Sequence, residues 1–240
     1  MARQTKGGQM NSGPLLFLGL FAAMVVSWFG FIVGPQMQIG NLPQTNTVVV
    51  GDALPQTYPV AMSGEAHQGE LVYRANDCAA CHTQMVRPAD LGPDIAQGWG
   101  ARRSVGDDYL FAQPVMLGSQ RIGPDLANYG SRSDLTGILL RLYDPRILVP
   151  GSIMPSYRFL FEMRKIGSAP SPEALTIPDK FAPEAGYEVI PTPRARSLAA
   201  YLLSLRQDGY LYEVPPAPLA TNAPVNSKTN APAAAAAITK

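Results

Sequence analysis

The chain has 240 residues, of which 46% are hydrophobic and only 15% charged, with 22 glycines, 23 prolines, two cysteines and two histidines. Soluble globular proteins carry about a quarter charged residues, so part of this chain belongs in an apolar environment. A formal net charge of +1 and the absence of any long run of like charges exclude the electrostatic footprint of a nucleic-acid binder. The cysteine count excludes a disulfide framework and a four-cysteine zinc site, and His67, lying upstream of both cysteines, excludes a zinc finger of two cysteines and two histidines.

Residues 1–13 carry Arg3 and Lys6, and Leu15 to Val33 (LLFLGLFAAMVVSWFGFIV) then run without charge or proline. At about 1.5 Å per residue this stretch nearly crosses a bilayer core of about 30 Å. A transmembrane helix is expected over 14–34, with Pro14 in its first turn, Trp28 and Phe29 toward one interface and Gly34-Pro35 as its end. A cleaved signal peptide has a shorter apolar core, about 7–15 residues, followed by a small-residue cleavage site, and the sequence after Val33 offers none. Gly34 to Gly51 contains no lysine or arginine, so residues 1–13 are expected in the cytoplasm and the rest on the periplasmic side of a bacterial inner membrane. From Asp52 to Glu213 there are 15 basic residues, 13 of them arginine, against all 18 acidic ones, a balance of −3.

Residues 35–60 are polar, nearly uncharged and broken by four prolines, the composition of an extended periplasmic stalk. Residues 61–212 form the expected domain, and the Pro/Ala-rich residues 213–240 read as a disordered tail. Within the domain, Ser63 and Glu65 open a helix from Gly64 to Ala75. Thr192-Pro193 opens another that runs to near Gly209, with Leu198, Tyr201, Leu202 and Leu205 on one face. Leu135 to Leu142 is a shorter helix between Gly- and Pro-rich loops. The expected fold class is all-α.

Both cysteines and one histidine fall in Cys78-Ala79-Ala80-Cys81-His82. C-x-x-C-H is the attachment signature of a c-type haem, in which two thiols add to the vinyl groups and the adjacent histidine reaches the iron. Chance spacing of this kind is on the order of one in ten thousand. A thioredoxin-like dithiol wants a βαβ context and leaves His82 unexplained. One motif implies one covalently bound haem c, held by Cys78 and Cys81 with His82 as proximal ligand. His67 lies too near His82 in sequence to be the second axial ligand, which leaves methionine. Met154 leads, because Val149-Pro150-Gly151-Ser152-Ile153-Met154-Pro155 is stiffened by prolines, and thioether ligation raises the reduction potential. Met116 and then Met85 follow, Met85 being three residues past His82 on the proximal side. In Gly123-Pro124-Asp125-Leu126 the Pro124 carbonyl can accept the His82 Nδ1 proton, and Arg121 and Arg87 are candidate partners for haem propionates.

Gly69-x-x-x-Tyr73, the C-x-x-C-H motif, Gly123-Pro124-Asp125-Leu126, Met154-Pro155 and the apolar last helix resemble class I cytochrome c. More specifically, three segments resemble the mono-haem cytochrome c subunit of cbb3-type haem-copper oxidases: Cys81-His82-Thr83-Gln84-Met85-Val86-Arg87-Pro88, Gly118 through Leu126, and Asp144-Pro145-Arg146 through Met154-Pro155-Ser156-Tyr157. The resemblance covers roughly residues 10 to 160. It implies a haem domain whose first and last helices cross, on one N-terminal anchor. It also implies electron transfer from a further cytochrome c subunit or a soluble cytochrome to the b-type haem of an integral-membrane catalytic subunit, the chain being no enzyme on its own. Gln120 stands where that family usually has lysine, and 89–115 and 168–193 depart from its pattern. A free-standing membrane-tethered cytochrome shuttle and a haem-based sensor are the alternatives.

Overall fold

The computed structural model describes residues 12–40, 42–46, 57–207, 209–211 and 213–214. Residues 41 and 47–56 of the stalk expected over 35–60, and 215–240 of the tail expected over 213–240, fall outside the described residues. The chain divides into two units, Met1–Pro43 and Gln44–Lys240.

In the first unit, helix α1 (Gly13–Trp28) passes through one π-helical turn (Phe29–Val33) into α2 (Gly34–Ile39). The helix therefore does not stop at Gly34-Pro35. Pro35 has no amide proton to give to the preceding turn, and the chain absorbs that loss by widening: the Gly34 N–H reaches back five residues to the Phe29 carbonyl. The helix Gly13–Gln38 spans 26 residues, about 39 Å at 1.5 Å per residue, and is long and apolar enough to cross a membrane. Its large side chains, Leu15 through Ile32, point outward on all sides, as a helix meant for lipid or for partner helices requires.

The second unit is built on three helices. Ser63 Oγ accepts the Ala66 N–H and starts α3 (Gly64–Ala75). Asp134 Oδ1 accepts the Gly137 N–H at 2.9 Å and starts α4 (Leu135–Tyr143). Thr192 Oγ1 does the same for the Ala195 N–H at the head of α5 (Pro193–Ser204). Each cap satisfies a donor that the helix cannot satisfy itself. α3 and α5 cross with Gly69 at the contact, and the Tyr73 and Tyr201 rings meet beside it with centroids 5.2 Å apart. α4 adds Ile138, Leu139 and Leu142 to the same core, with Leu126, Leu160, Leu198 and Ala199.

Helix α5 ends at Ser204, five residues before the expected Gly209. Leu205 turns to an extended conformation, its carbonyl accepts the Gly130 N–H at 3.1 Å, and the Gln207 N–H donates to Asn128 Oδ1 at 2.8 Å. Tertiary partners thus take the backbone groups that another turn of helix would have used.

The fold is mainly helical but not all-α. Short strands β1 (Thr45–Asn46) and β2 (Thr57–Tyr58) pair antiparallel, and so do β3 (Phe161–Lys165) and β4 (Tyr187–Pro191), with Phe161 opposite Pro191 and Lys165 opposite Tyr187. Val189 and Ile190 of β4 are buried, and the Leu175 N–H donates to the Val189 carbonyl. The proline-rich insertion thus departs from and returns to a hairpin fastened on the core. The β-branched pair Val189-Ile190 is the strand signal that its prolines obscure.

Candidate functional site

Asp77, in the left-handed region (φ 51°), swings the chain out of α3 into a single 3₁₀ turn, Cys78–Ala80. There the His82 N–H donates to the Cys78 carbonyl at 3.0 Å, which sets both cysteines and the histidine on one tight turn. Both thiols are free and half-buried. Burial pushes the Cys78 thiol up to about 11, and the Tyr157 hydroxyl stands within hydrogen-bonding reach of it.

A second segment, Leu117 to Leu126, lies along this turn. Ser119 N–H donates to the Ala79 carbonyl, Gly123 N–H to Cys81, Leu126 N–H to Thr83, and Gln84 N–H to Leu117, at 2.8–3.0 Å. Two glycines make the approach possible. A Cβ on Gly118 (φ 80°) would lie 2.2 Å from the His82 carbonyl oxygen, and one on Gly123 would lie 2.3 Å from Cε1 of the His82 ring. The fully buried Asp125 locks the arrangement: it accepts from Thr83 Oγ1 at 2.6 Å and from the amides of Met85 and Ala127 at 2.8 Å.

His82 Nδ1 lies 2.8 Å from the Pro124 carbonyl oxygen. A carbonyl only accepts, so Nδ1 carries the proton and Nε2 keeps its lone pair. Burial lowers the basicity of the ring, and this outweighs the Pro124 bond that favours the protonated form. A neutral imidazole with Nε2 free to bind is the form a metal takes as ligand.

The Met154 loop is fixed at both ends. The Tyr157 N–H donates to the Leu142 carbonyl at the end of α4, and Asp144 accepts from Arg146 Nε at 2.9 Å and from Arg158 Nη2 at 2.8 Å. Met154 and Met116 are both half-buried against the core cluster that Cys78 also joins. Met85 has its N–H on Asp125 and its carbonyl on Arg121. Arg87 and Arg121, the candidate propionate partners, both bind Asp94: Arg87 through its N–H and Nη2 at 2.8 Å, Arg121 through Nη1. Burial pushes the Asp94 carboxyl up, but the two guanidinium groups outweigh it and hold it at about 2. Arg121 also lies over the Trp99 ring, 5.8 Å from its centroid.

Three residues of this region drew no attention in the sequence. Asp94 sits in a stretch with no motif, Asp125 was visible only as a letter of Gly-Pro-Asp-Leu, and Arg141 of α4 is legible only in three dimensions. Its charge contributes to lowering the His82 basicity, and its Nε is buried without a partner. The turn with two free thiols, the neutral imidazole backed by a carbonyl, the glycine faces against it and a half-buried arginine whose Nε has no partner together fit a haem with its propionates.

No curated protein matches the sequence. A family model described as cytochrome C oxidase, mono-heme subunit/FixO, matches residues 24–178, well over half of the chain and inclusive of the C-x-x-C-H turn, the glycine-lined segment and the Met154 loop. The chain therefore belongs to the FixO family, the mono-haem subunit of cytochrome c oxidase.

Proposed function

We propose that this chain is the membrane-anchored electron-transfer subunit of a cbb3-type oxidase. Cys78 and Cys81 would hold the haem covalently, His82 Nε2 and Met154 Sδ would be its protein ligands, and the haem domain faces the periplasm from an anchor in the bacterial inner membrane. The haem supplies a one-electron iron(III)/iron(II) couple. The Pro124 carbonyl orients the His82 ring and raises its donor strength. Gly118 and Gly123 admit the backbone that carries this carbonyl. The ties from Leu142 and Asp144 hold the Met154 loop in place, so a haem ligated by His82 and Met154 would have no open position, and oxygen chemistry would belong to the catalytic subunit, with its b-type haem as electron acceptor. Electrons arrive from a further cytochrome c subunit or a soluble cytochrome.

The observation that carries the reading is the 2.8 Å contact of His82 Nδ1 with the Pro124 carbonyl, one residue beyond the second cysteine. The test is a dithionite-reduced minus oxidised optical spectrum of the tagged protein extracted from its native membrane in mild detergent. A c-type band accompanied by b-type bands is the expected result. A c-type band alone favours the tethered shuttle, and carbon monoxide binding at neutral pH favours a sensor. Absence of any haem band removes all three.

A further inference from the structure

Several arginines of this domain, some buried and some exposed, are matched. Arg87 and Arg121 are bound to Asp94, Arg102 to Asp108 with both side chains out of solvent, and Arg146 and Arg158 to Asp144. Arg132, close to Arg141, gives its protons to the carbonyls of Asp125 and Asn128. Arg141 differs. It is half-buried on α4, its Nε is shut off from solvent, and among the described residues no hydrogen bond or ion pair reaches it. Each acid in its surroundings is already engaged: Asp144, three residues on, by two arginines, and Asp125 by Thr83 and two amides. A guanidinium whose Nε is shut off from solvent without a partner, near a second cation, is unfavourable unless an anion joins it.

The position of Arg141 says which anion. Its field reaches the His82 ring, and the residue after it, Leu142, holds the Met154 loop through its carbonyl. Arg141 is thus linked to both segments that the proposed haem would bridge, to the His82 turn by its charge and to the Met154 loop through its chain neighbour Leu142. Resting on that reading of the site, we infer that Arg141 is the positioning residue that receives a haem propionate, and that its charge raises the reduction potential of the iron. Arg87 and Arg121, both spent on Asp94, have the weaker claim. The planar fork of arginine suits a carboxylate. With the cation gone, the propionate charge would favour iron(III), the more positive oxidation state, and the potential would fall.

The experiment is potentiometry on the full chain in its native complex, with covalent haem counted by the pyridine haemochrome spectrum, for wild type, Arg141→Gln, Arg141→Met and Arg141→Lys. The expected result is a full haem complement in all four, a midpoint shifted to lower potential in Arg141→Gln and Arg141→Met, and recovery of most of that shift in Arg141→Lys. Failure of the two neutral variants to acquire haem, with Arg141→Lys acquiring it at the wild-type midpoint, also supports the assignment. Unchanged midpoints in the neutral variants, or a lysine variant as low as they are, or loss of haem in all three, overturns it. A wild-type protein without c-type haem overturns the underlying reading instead.

Discussion

Gly69 and Ser197 meet where α3 crosses α5, so closely that a Cβ on Gly69 would lie 1.8 Å from the Ser197 carbonyl oxygen and 2.7 Å from Cβ of Tyr201. The crossing brings the first and last helices of the domain together and closes the core around the site. No side chain but hydrogen fits there, and the obstacle is backbone, which cannot rotate away.

Gly69→Ala should therefore destabilise the domain by about 1–3 kcal/mol or more, as overpacking does in well-filled cores. Thermal unfolding followed by circular dichroism reads it. A melting temperature within a degree of wild type would mean that the helices separate at little cost.

Gly123→Ala acts on the site rather than the core. The new methyl would fall 2.3 Å from His82 Cε1, so the ring must leave the Pro124 carbonyl. The expected outcome is loss of the low-spin ferric signal in electron paramagnetic resonance and a lower yield of haem-loaded protein. A wild-type signal would show that His82 is not held from this side.

Met154→Ala, on the proposed ligation, opens one face of the iron: the reduced protein should bind carbon monoxide, the potential should fall, and the weak far-red band of methionine-ligated ferric haem should vanish. If that band survives in Met154→Ala and disappears in Met116→Ala, the ligand is Met116.

Replacing Cys78 and Cys81 together by serine should release the haem to acidified acetone, because no thioether remains, and the loop-rich middle of the domain should become more sensitive to protease. Haem that stays with the polypeptide after extraction would contradict covalent attachment through this pair.

Asp94 makes stability depend on pH. Its folded value, about 2, is below the value of about 3.9 for an unfolded aspartate. Its contribution is thus complete above about pH 4 and is lost as the pH falls toward 2, to the extent of about 2 kcal/mol. Denaturant unfolding at pH 5 and pH 3 should show this loss in wild type. Asp94→Asn should be less stable at pH 5 by about 2–4 kcal/mol, since two arginines lose their partner, and its dependence on pH below 4 should be shallower. Parallel curves for the two proteins would place the acid sensitivity elsewhere.

Legibility followed the range of the interactions. Ser63, Asp134 and Thr192 cap helices through neighbours three residues away, so α3, α4 and the start of α5 are readable from the letters alone. The cysteines and His82 are readable as a set because they fall within five consecutive letters, which the structure folds into one turn. The end of α5 is not, because Asn128 and Gly130 capture its last backbone groups from some 75 residues away. Nor is the strand pair β3 and β4, whose prolines and long connection hide a hairpin that gains its stability by burying Val189 and Ile190. The stop at Gly34-Pro35 failed for a different reason: a proline ends a helix only if its missing bond is not taken up, and here a π turn takes it up.

What the sequence determined by itself is a pattern of neighbouring letters: one C-x-x-C-H motif, few candidate ligands, and an apolar run long enough for a bilayer. Those are properties of adjacent residues. Which arginines are spent and which is left was decided only by tertiary structure. Arg87 and Arg121 have identical side chains to Arg141, and nothing in their sequence neighbours distinguishes them. Folding brings Asp94 to the first two and leaves Arg141, whose charge reaches the His82 ring, with its Nε buried and no acid bound to it. A charge is given its role by what is buried next to it, because only out of water does the presence or absence of a partner carry a large free energy.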